Sequence, residues 1–411
     1  MERTCGRAGR KAHARAPSGI CRRTSWICLL VAVFSLGTAR AETGSRTDPP
    51  SACPPGHTLV VAASPLTREQ AQLLGRADSL LIMIPGITSG DMDENCRFLE
   101  RVRAQGAQAV ALFYDWEAHN LARKVAAPAA VDPAAEELLA LCAAFQAEAG
   151  GRKSIDILAH SAGTVVVNKA ARTAARTSSP VRFRHVLLLG TALAADEPLD
   201  ELKAMSASVL NLHSAHDKVN RNINDQLGRL SALEGGAYRN FRMDHSLGGR
   251  LIRHYVFLSS DPENWRQYGT YLAGGEWPPP DPALPGRDAV PARLHGLAQW
   301  VQAHPDEPRP DIRAALPEWL GQADPEAKYY AVILAGLLRE QALGPALTNL
   351  LAADPAPVYL RKEIYQALGN LRNGAYIDLL KSSRRSDRAC AEEIRDVLRA
   401  LKRQRIEPVR P

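Results

Sequence analysis

The chain has almost no excess of either charge once its first 41 residues are set aside. It has 411 residues with 51 Lys and Arg against 44 Asp and Glu, but residues 1–41 hold eight basic side chains and one acidic. The remainder carries 43 of each, so its overall basicity is no argument for nucleic acid, and no stretch interleaves basic with aromatic residues. Cysteine is scarce as well. Beyond residue 41 only Cys53, Cys96, Cys142 and Cys390 remain, and no pair has metal-ligand spacing. The histidines show no ligand pattern either, so no metal is expected. No apolar run is long enough for a stable membrane span; the run Trp26–Leu36 falls short of one.

That short run fits a different role. Arg3, Arg7, Arg10, Lys11, Arg15, Arg22 and Arg23 precede it, and Ala39-Arg40-Ala41 follows it. A basic region, a short apolar region and A-x-A form a cleavable secretory signal over residues 1–41, with cleavage after Ala41. The protein is therefore expected to be exported, periplasmic or secreted, with an uncleaved anchor as the alternative. An oxidising compartment permits a Cys53–Cys96 disulfide. Cys142, between Leu141 and Ala143 in an apolar helical pattern, is expected in the core.

The most informative segment is Ser154–Thr164, reading Ser-Ile-Asp-Ile-Leu-Ala-His-Ser-Ala-Gly-Thr. A short apolar run enters small-His160-Ser161-small-Gly163 and leaves through a helical pattern beginning at Thr164. This is the strand–turn–helix setting in which a G-x-S-x-G serine is exposed at the C-terminal edge of a parallel sheet. Larger residues at Ala159 or Gly163 would meet the strand or helix backbone, and Ala159 keeps the small volume of the glycine it replaces. Ser161 is thus the candidate nucleophile. His160 beside it is expected to shape the turn.

Later strand patterns supply partners. The run His185–Gly190 is followed by Ser208–Asp217 and then by Gly236–Met243, which ends at Asp244-His245. From Ser161 to Asp217 is 56 residues and from Asp217 to His245 is 28, each enough for a crossover helix and a strand. His245 is the expected base, with His254 in reserve on the helix that follows. Asp217 is the expected acid, favoured over Asp196. A base would take the Ser161 proton, and the acid would orient the imidazole. The oxyanion donors are placed at the N–H of Ala162 and at Ile87, in the loop after the strand Ser79–Ile84 that breaks at Pro85-Gly86. Asp244–Gly249 also resembles a nucleophile turn centred on Ser246. Arg239, Asn240 and Arg242 before it suit a buried central strand poorly, and too little chain follows for an acid and a base.

Over about residues 57–260 the chain resembles the α/β-hydrolase superfamily in its compact esterase/lipase form. The resemblance implies a mostly parallel sheet flanked by helices, acyl-enzyme chemistry and no cofactor. After about residue 275 the composition turns to Glu276-Trp277-Pro278-Pro279-Pro280-Asp281-Pro282, an extended linker by its prolines. Beyond it, Leu334–Leu338 matches Ala367–Leu371 at an offset of 33, and Ala400-Leu401 continues the series. Helix pairs at such a period mean a short α-solenoid. The repeats resemble HEAT-like repeats of the kind found with phycobilin lyases, with Arg361–Leu371 the best match.

The expected organisation is a signal at 1–41, an N-terminal segment at 42–56, an α/β-hydrolase domain at 57–275 and a Pro-rich linker at 276–305. An all-α HEAT-like domain at 306–405 and a tail at 406–411 complete it. Residues 116–135 are the expected flap over the site, and Trp116 either walls an acyl pocket or is a core aromatic at a strand end. The basic stretch 381–405 is either a solvated capping face or a contact for an anionic partner. The expected function is an exported serine hydrolase acting on a small ester or other acyl substrate, with thioesters and amides open. The alternative is a silent hydrolase fold that serves as a platform for a protein partner on the repeats.

Overall fold

Short, nearly all-apolar runs are the signature of strands buried on both faces by crossover helices, and among the described residues seven strands, most of them of this kind, form one parallel sheet. They are β1 (Thr58–Val61), β2 (Ser79–Ile84), β3 (Val110–Tyr114), β4 (Ser154–His160), β5 (Phe183–Leu189), β6 (Ser206–His213) and β7 (Tyr238–Arg242), in spatial order β1-β3-β2-β4-β5-β6-β7. The computed structural model describes residues 58–61, 68–86, 92–114, 116, 128–147, 153–217, 219, 228–259, 261–277, 290–307, 309–352 and 356–406. The signal at 1–41, the segment 42–56, Cys53, Ile87 and the tail beyond 406 lie outside them. β7, with its two arginines, occupies a sheet edge, where a half-polar strand is tolerated.

Period-2 alternation divides the core into two layers. Leu80, Ile82 and Ile84 of β2 face the helices α3 (Pro128–Ala147) and α4 (Gly163–Arg176), with α1 (Arg68–Arg76) beside them. Leu81 and Met83 face α2 (Met92–Gly106) and α6 (Pro262–Gly274), where Phe98, Leu99, Val102, Tyr268 and Tyr271 are buried. The short α5 (Asp200–Ala204) leads into β6. Cys142 on α3 is fully buried, and burial pushes its thiol up to about 12. Cys96 on α2 is disulfide-bonded. The order of strands reverses between β2 and β4, and open α/β sheets bind ligands at the carboxyl ends beside such a switch point.

Seven helices follow: α7 (Val290–Ala303), α8 (Pro310–Leu320), α9 (Pro325–Leu337), α10 (Gly344–Ala352), α11 (Val358–Asn370), α12 (Ile377–Ser386) and α13 (Ala391–Arg403). The expected linker to residue 305 is corrected here. Residues 278–289 lie outside the described ones, but Leu294, Ala298 and Val301 of α7 belong to the helical core with Leu316 and Ala331. Pro291 sits in the first turn of α7, where its missing N–H costs nothing.

The 33-residue period is realised helix by helix. α9, α11 and α13 start at 325, 358 and 391 and are 13 residues each. Each is followed by an arginine in the left-handed region, Arg339, Arg372 and Arg405, with φ of 53°, 55° and 59°. These cations sit at helix C-termini, the end that favours positive charge. The repeated glycine lets successive helices touch. A Cβ at Gly336 would lie 3.0 Å from the Ala367 Cα, and one at Gly369 would lie 2.4 Å from Val397 Cγ1. The equivalent position on α13 is the exposed Lys402, as befits the last helix of the series. Among the described residues no helix is long and apolar enough to cross a membrane.

The glycine contact gives a quantitative expectation. Gly369→Ala should destabilise the protein by about 1–3 kcal/mol through overpacking. Chemical denaturation of a double-mutant cycle should show Val397→Ala relieving part of that cost, and strict additivity would contradict the packing.

Candidate functional site

Ser161 directly follows β4 and adopts φ of 51°, a left-handed conformation that a non-glycine residue holds only under constraint from its surroundings. Those surroundings are specific. The Ser161 N–H donates to the Leu189 carbonyl at 3.0 Å. The Ser161 carbonyl accepts from the Thr164 hydroxyl at 2.6 Å and from the Ala192 N–H at 3.3 Å, and the Thr191 hydroxyl donates to Thr164 Oγ1 at 2.9 Å. A Cβ at Gly163 would lie 2.2 Å from the Ile84 carbonyl oxygen, so no larger residue fits where α4 leaves the turn. A Cβ at Gly86 would lie 2.6 Å from the Ser161 Cβ and 3.2 Å from its Oγ. The loop after β2 therefore runs beside the serine hydroxyl.

Trp116 fixes that loop. Its Nε1–H donates to the Pro85 carbonyl at 2.8 Å, and the side chain is wholly buried. It is thus a core residue beneath the site and not an exposed wall of a pocket. Of the expected flap, residues 117–127 lie outside the described ones and 128–135 begin α3.

Asp217 stands just beyond β6, and the imidazole in contact with it is that of His254, not His245. Asp217, fully buried after β6, accepts a hydrogen bond from His254 Nδ1 at 2.9 Å. A carboxylate only accepts, so Nδ1 carries the proton and the free lone pair falls on Nε2, the tautomer that suits a base. His254 opens a 3₁₀ turn, His254–Leu258. Gly190, next along the sheet from Ser161, lies under this pair. With φ of 48°, a Cβ there would sit 3.1 Å from Asp217 Oδ2 and 3.2 Å from His254 Nδ1. The in-register pairing of His160 with Leu189 and of Leu189 with Leu212 brings the three strand ends level.

The expected base, His245, stands elsewhere. It lies in the strand-like turn after β7, bridged antiparallel to Leu251 and edge-to-face with His216, ring centroids 5.3 Å apart. Burial, then the neighbouring His216, hold its imidazole below the usual range. Asp196 is exposed on the loop after β5, and Asp217 is the acid in contact with a histidine. Ser246 is 2% exposed, accepts the Arg250 N–H at 3.1 Å and meets Glu363 at 3.5 Å, so its hydroxyl is part of a turn.

His160 does more than shape the turn. Its Nε2 lies 2.9 Å from the His254 carbonyl, which makes Nε2–H the donor. The ring is buried 4.6 Å from that of His254, and desolvation, then the neighbouring His254 imidazole, push its pKa well down. The sequence offered no sign of this contact or of the Gly190 contact, since each depends on a partner from a distant strand end. Ala162 stands at the start of α4, where N–H groups and the helix dipole favour developing negative charge. Among the described residues no group of three or more His, Cys, Asp or Glu side chains is arranged to hold a metal.

No protein-family model matches the chain, and no curated protein matches it in sequence. Among solved structures it is similar to the RedJ thioesterase from the prodiginine biosynthetic pathway in Streptomyces coelicolor, at 13% identity over 64% of this chain and 98% of that one, with a TM-score of 0.32. The fold of residues 58–277, a parallel sheet flanked by helices, stands on the strand order, the parallel register and the crossover helices.

One buried acid on α6 gives a pH signature. Glu263 accepts the Leu247 N–H through both oxygens, and desolvation by burial raises its pKa to about 7. The charges around it are Arg250 and Glu363, and Tyr268, Tyr329 and Tyr330 also face it. With the folded pKa above the unfolded one, the native state binds more protons between about pH 4.5 and 7. Stability should therefore fall across that window by about 3 kcal/mol. Denaturation of wild type and Glu263→Gln at pH 5 and 8 checks this. The variant should show the smaller pH dependence, and equal slopes would contradict it.

Proposed function

We propose that this protein is an exported serine hydrolase of the esterase kind, with Ser161 as nucleophile, His254 as general base and Asp217 as the acid that orients it. The observation that carries the proposal is the buried Asp217–His254 hydrogen bond lying over Gly190, beside a serine held at positive φ. In this scheme His254 Nε2 takes the Ser161 hydroxyl proton as Oγ attacks the ester carbonyl. The Asp217 carboxylate stabilises the imidazolium that forms. Negative charge on the carbonyl oxygen is met by the Ala162 N–H at the start of α4, with a second donor from the loop after Gly86, for which Ile87 is the candidate. The C–O bond then breaks, and His254 returns the proton to the departing alcohol. Water repeats the sequence on the acyl-enzyme.

The substrates proposed are carboxylic esters of modest size, and thioesters or amides would use the same steps. Export is supported by the signal-like sequence at 1–41 and by the disulfide-bonded Cys96. The 33-residue period of α9–α13 supports a HEAT-like class for the C-terminal helices.

Labelling of the protein from Glu42 with a fluorophosphonate tests the assignment. Ser161→Ala should abolish labelling. His254→Ala should slow it by roughly 10³-fold or more. Asp217→Asn should slow it by about two orders of magnitude or more. His245→Ala and Ser246→Ala should retain it. A folded wild type that does not label, or a Ser161→Ala variant that still does, would overturn the proposal.

A further inference from the structure

The segment that delivers His254 is gripped by the C-terminal helices. Residues 244–253 fold back on themselves, with the His245–Leu251 bridge and a Ser246 N–H to Arg250 carbonyl bond of 2.7 Å. The tip of this hairpin is packed into the helical region. Leu247 is 4% exposed and belongs to the core that holds Tyr329, Ala331 and Ile364. Asn370 Nδ2 donates to the Gly248 carbonyl at 3.1 Å, and a Cβ on Gly248 would lie 2.6 Å from Glu363 Oε1. Arg250, 3% exposed, is ion-paired with Asp261 at the start of α6. At the other end of the hairpin, Arg253 is ion-paired with both Asp396 and Glu392 on α13. Its next neighbour in the chain is His254.

We infer that Arg253 is a positioning residue, through which Asp396 and Glu392 of the last repeat hold the general base in place. The inference rests on the assignment of His254 as base. Three fixed points then define the histidine: Asp217 at Nδ1, His160 at the main-chain carbonyl, and α13 through the residue just before it. The Arg253 and Asp396 side chains are 21% and 20% exposed, so this pair is shielded from solvent. Glu392 is 62% exposed and adds less. The adjoining Ile252 is held by the Ser214 hydroxyl on its carbonyl, by its own N–H on the Asp244 carbonyl and by its place in the core, whereas the Arg253 side chain is tied to α13. A displacement of about 1 Å at a catalytic group can cost on the order of 10²-fold in rate.

The experiment compares Arg253→Gln, Arg253→Lys and the Asp396→Asn/Glu392→Gln pair in the full-length chain. Three readouts are taken: the phosphonylation rate of Ser161, kcat and KM on a short-chain ester, and amide hydrogen exchange over 244–258. Arg253→Gln and the paired variant should lower the phosphonylation rate and kcat by about 10- to 100-fold. KM and thermal midpoint should be nearly unchanged, and Arg253→Lys should recover most of the loss. Exchange over 244–258 should rise by about 10-fold or more in the same two variants. Folded variants with wild-type kcat and exchange would overturn the inference, as would losses that follow the thermal midpoint instead of the Arg253 charge. A wild type that does not phosphonylate sinks the hydrolase proposal alone. Exchange over 244–258 then decides the tether, and unchanged protection in the variants overturns it.

Discussion

A serine with φ of 51° at the end of a buried strand is a strained feature, and everything around it is shaped by the need to hold it. The strain is small, on the order of 1–2 kcal/mol for a non-glycine residue in the left-handed region. It persists because two neighbouring strand ends and the loop after one of them close on it. β5 supplies the Leu189 carbonyl, β2 supplies the Ile84 carbonyl against Gly163, and the Gly86 loop covers the hydroxyl side. Thr164 and Thr191 then satisfy the carbonyl that the turn exposes. Each of these contacts depends on the parallel register, so the sheet is as much a part of the site as the serine.

The same close packing extends sideways to Gly190. A side chain there would occupy the place of the Asp217–His254 pair, so the small residue at the end of β5 makes room for charge carriers from β6 and from beyond β7. His160 contributes through its buried ring, whose Nε2 donor is turned to the His254 main chain. His254 is thus held through its backbone as well as through its side chain. The helical region adds to this arrangement from outside the sheet, with several of its contacts on the ten residues that lead into His254.

Much of this was legible in the chain. The apolar runs at 79–84 and 154–160 marked strands within a residue or two, and the small-residue pattern at 159–163 marked the turn because sterics leave few alternatives there. The offset of 33 foretold helices that begin at 325, 358 and 391, since a repeat must place equal residues at equal contacts. Two things were hidden. The prolines after 277 suggested an extended linker to 305, yet Pro291 belongs to the first turn of a packed helix, a position proline tolerates. Asp217 meets His254, and not His245, the first histidine after β7, where the base was expected. The hairpin 244–253 carries the chain past it, and that hairpin is held by Glu363, Asn370 and Asp396, more than a hundred residues away. No local pattern announces a contact of that range.

The most direct measurement is a crystal structure of the protein after reaction with a small phosphonate. The account predicts phosphorus bonded to Ser161 Oγ, the phosphoryl oxygen about 2.7–3.1 Å from the Ala162 nitrogen, and His254 Nε2 within hydrogen-bond reach of the adduct. Phosphorus on another residue, or His245 in place of His254 beside it, would contradict the account.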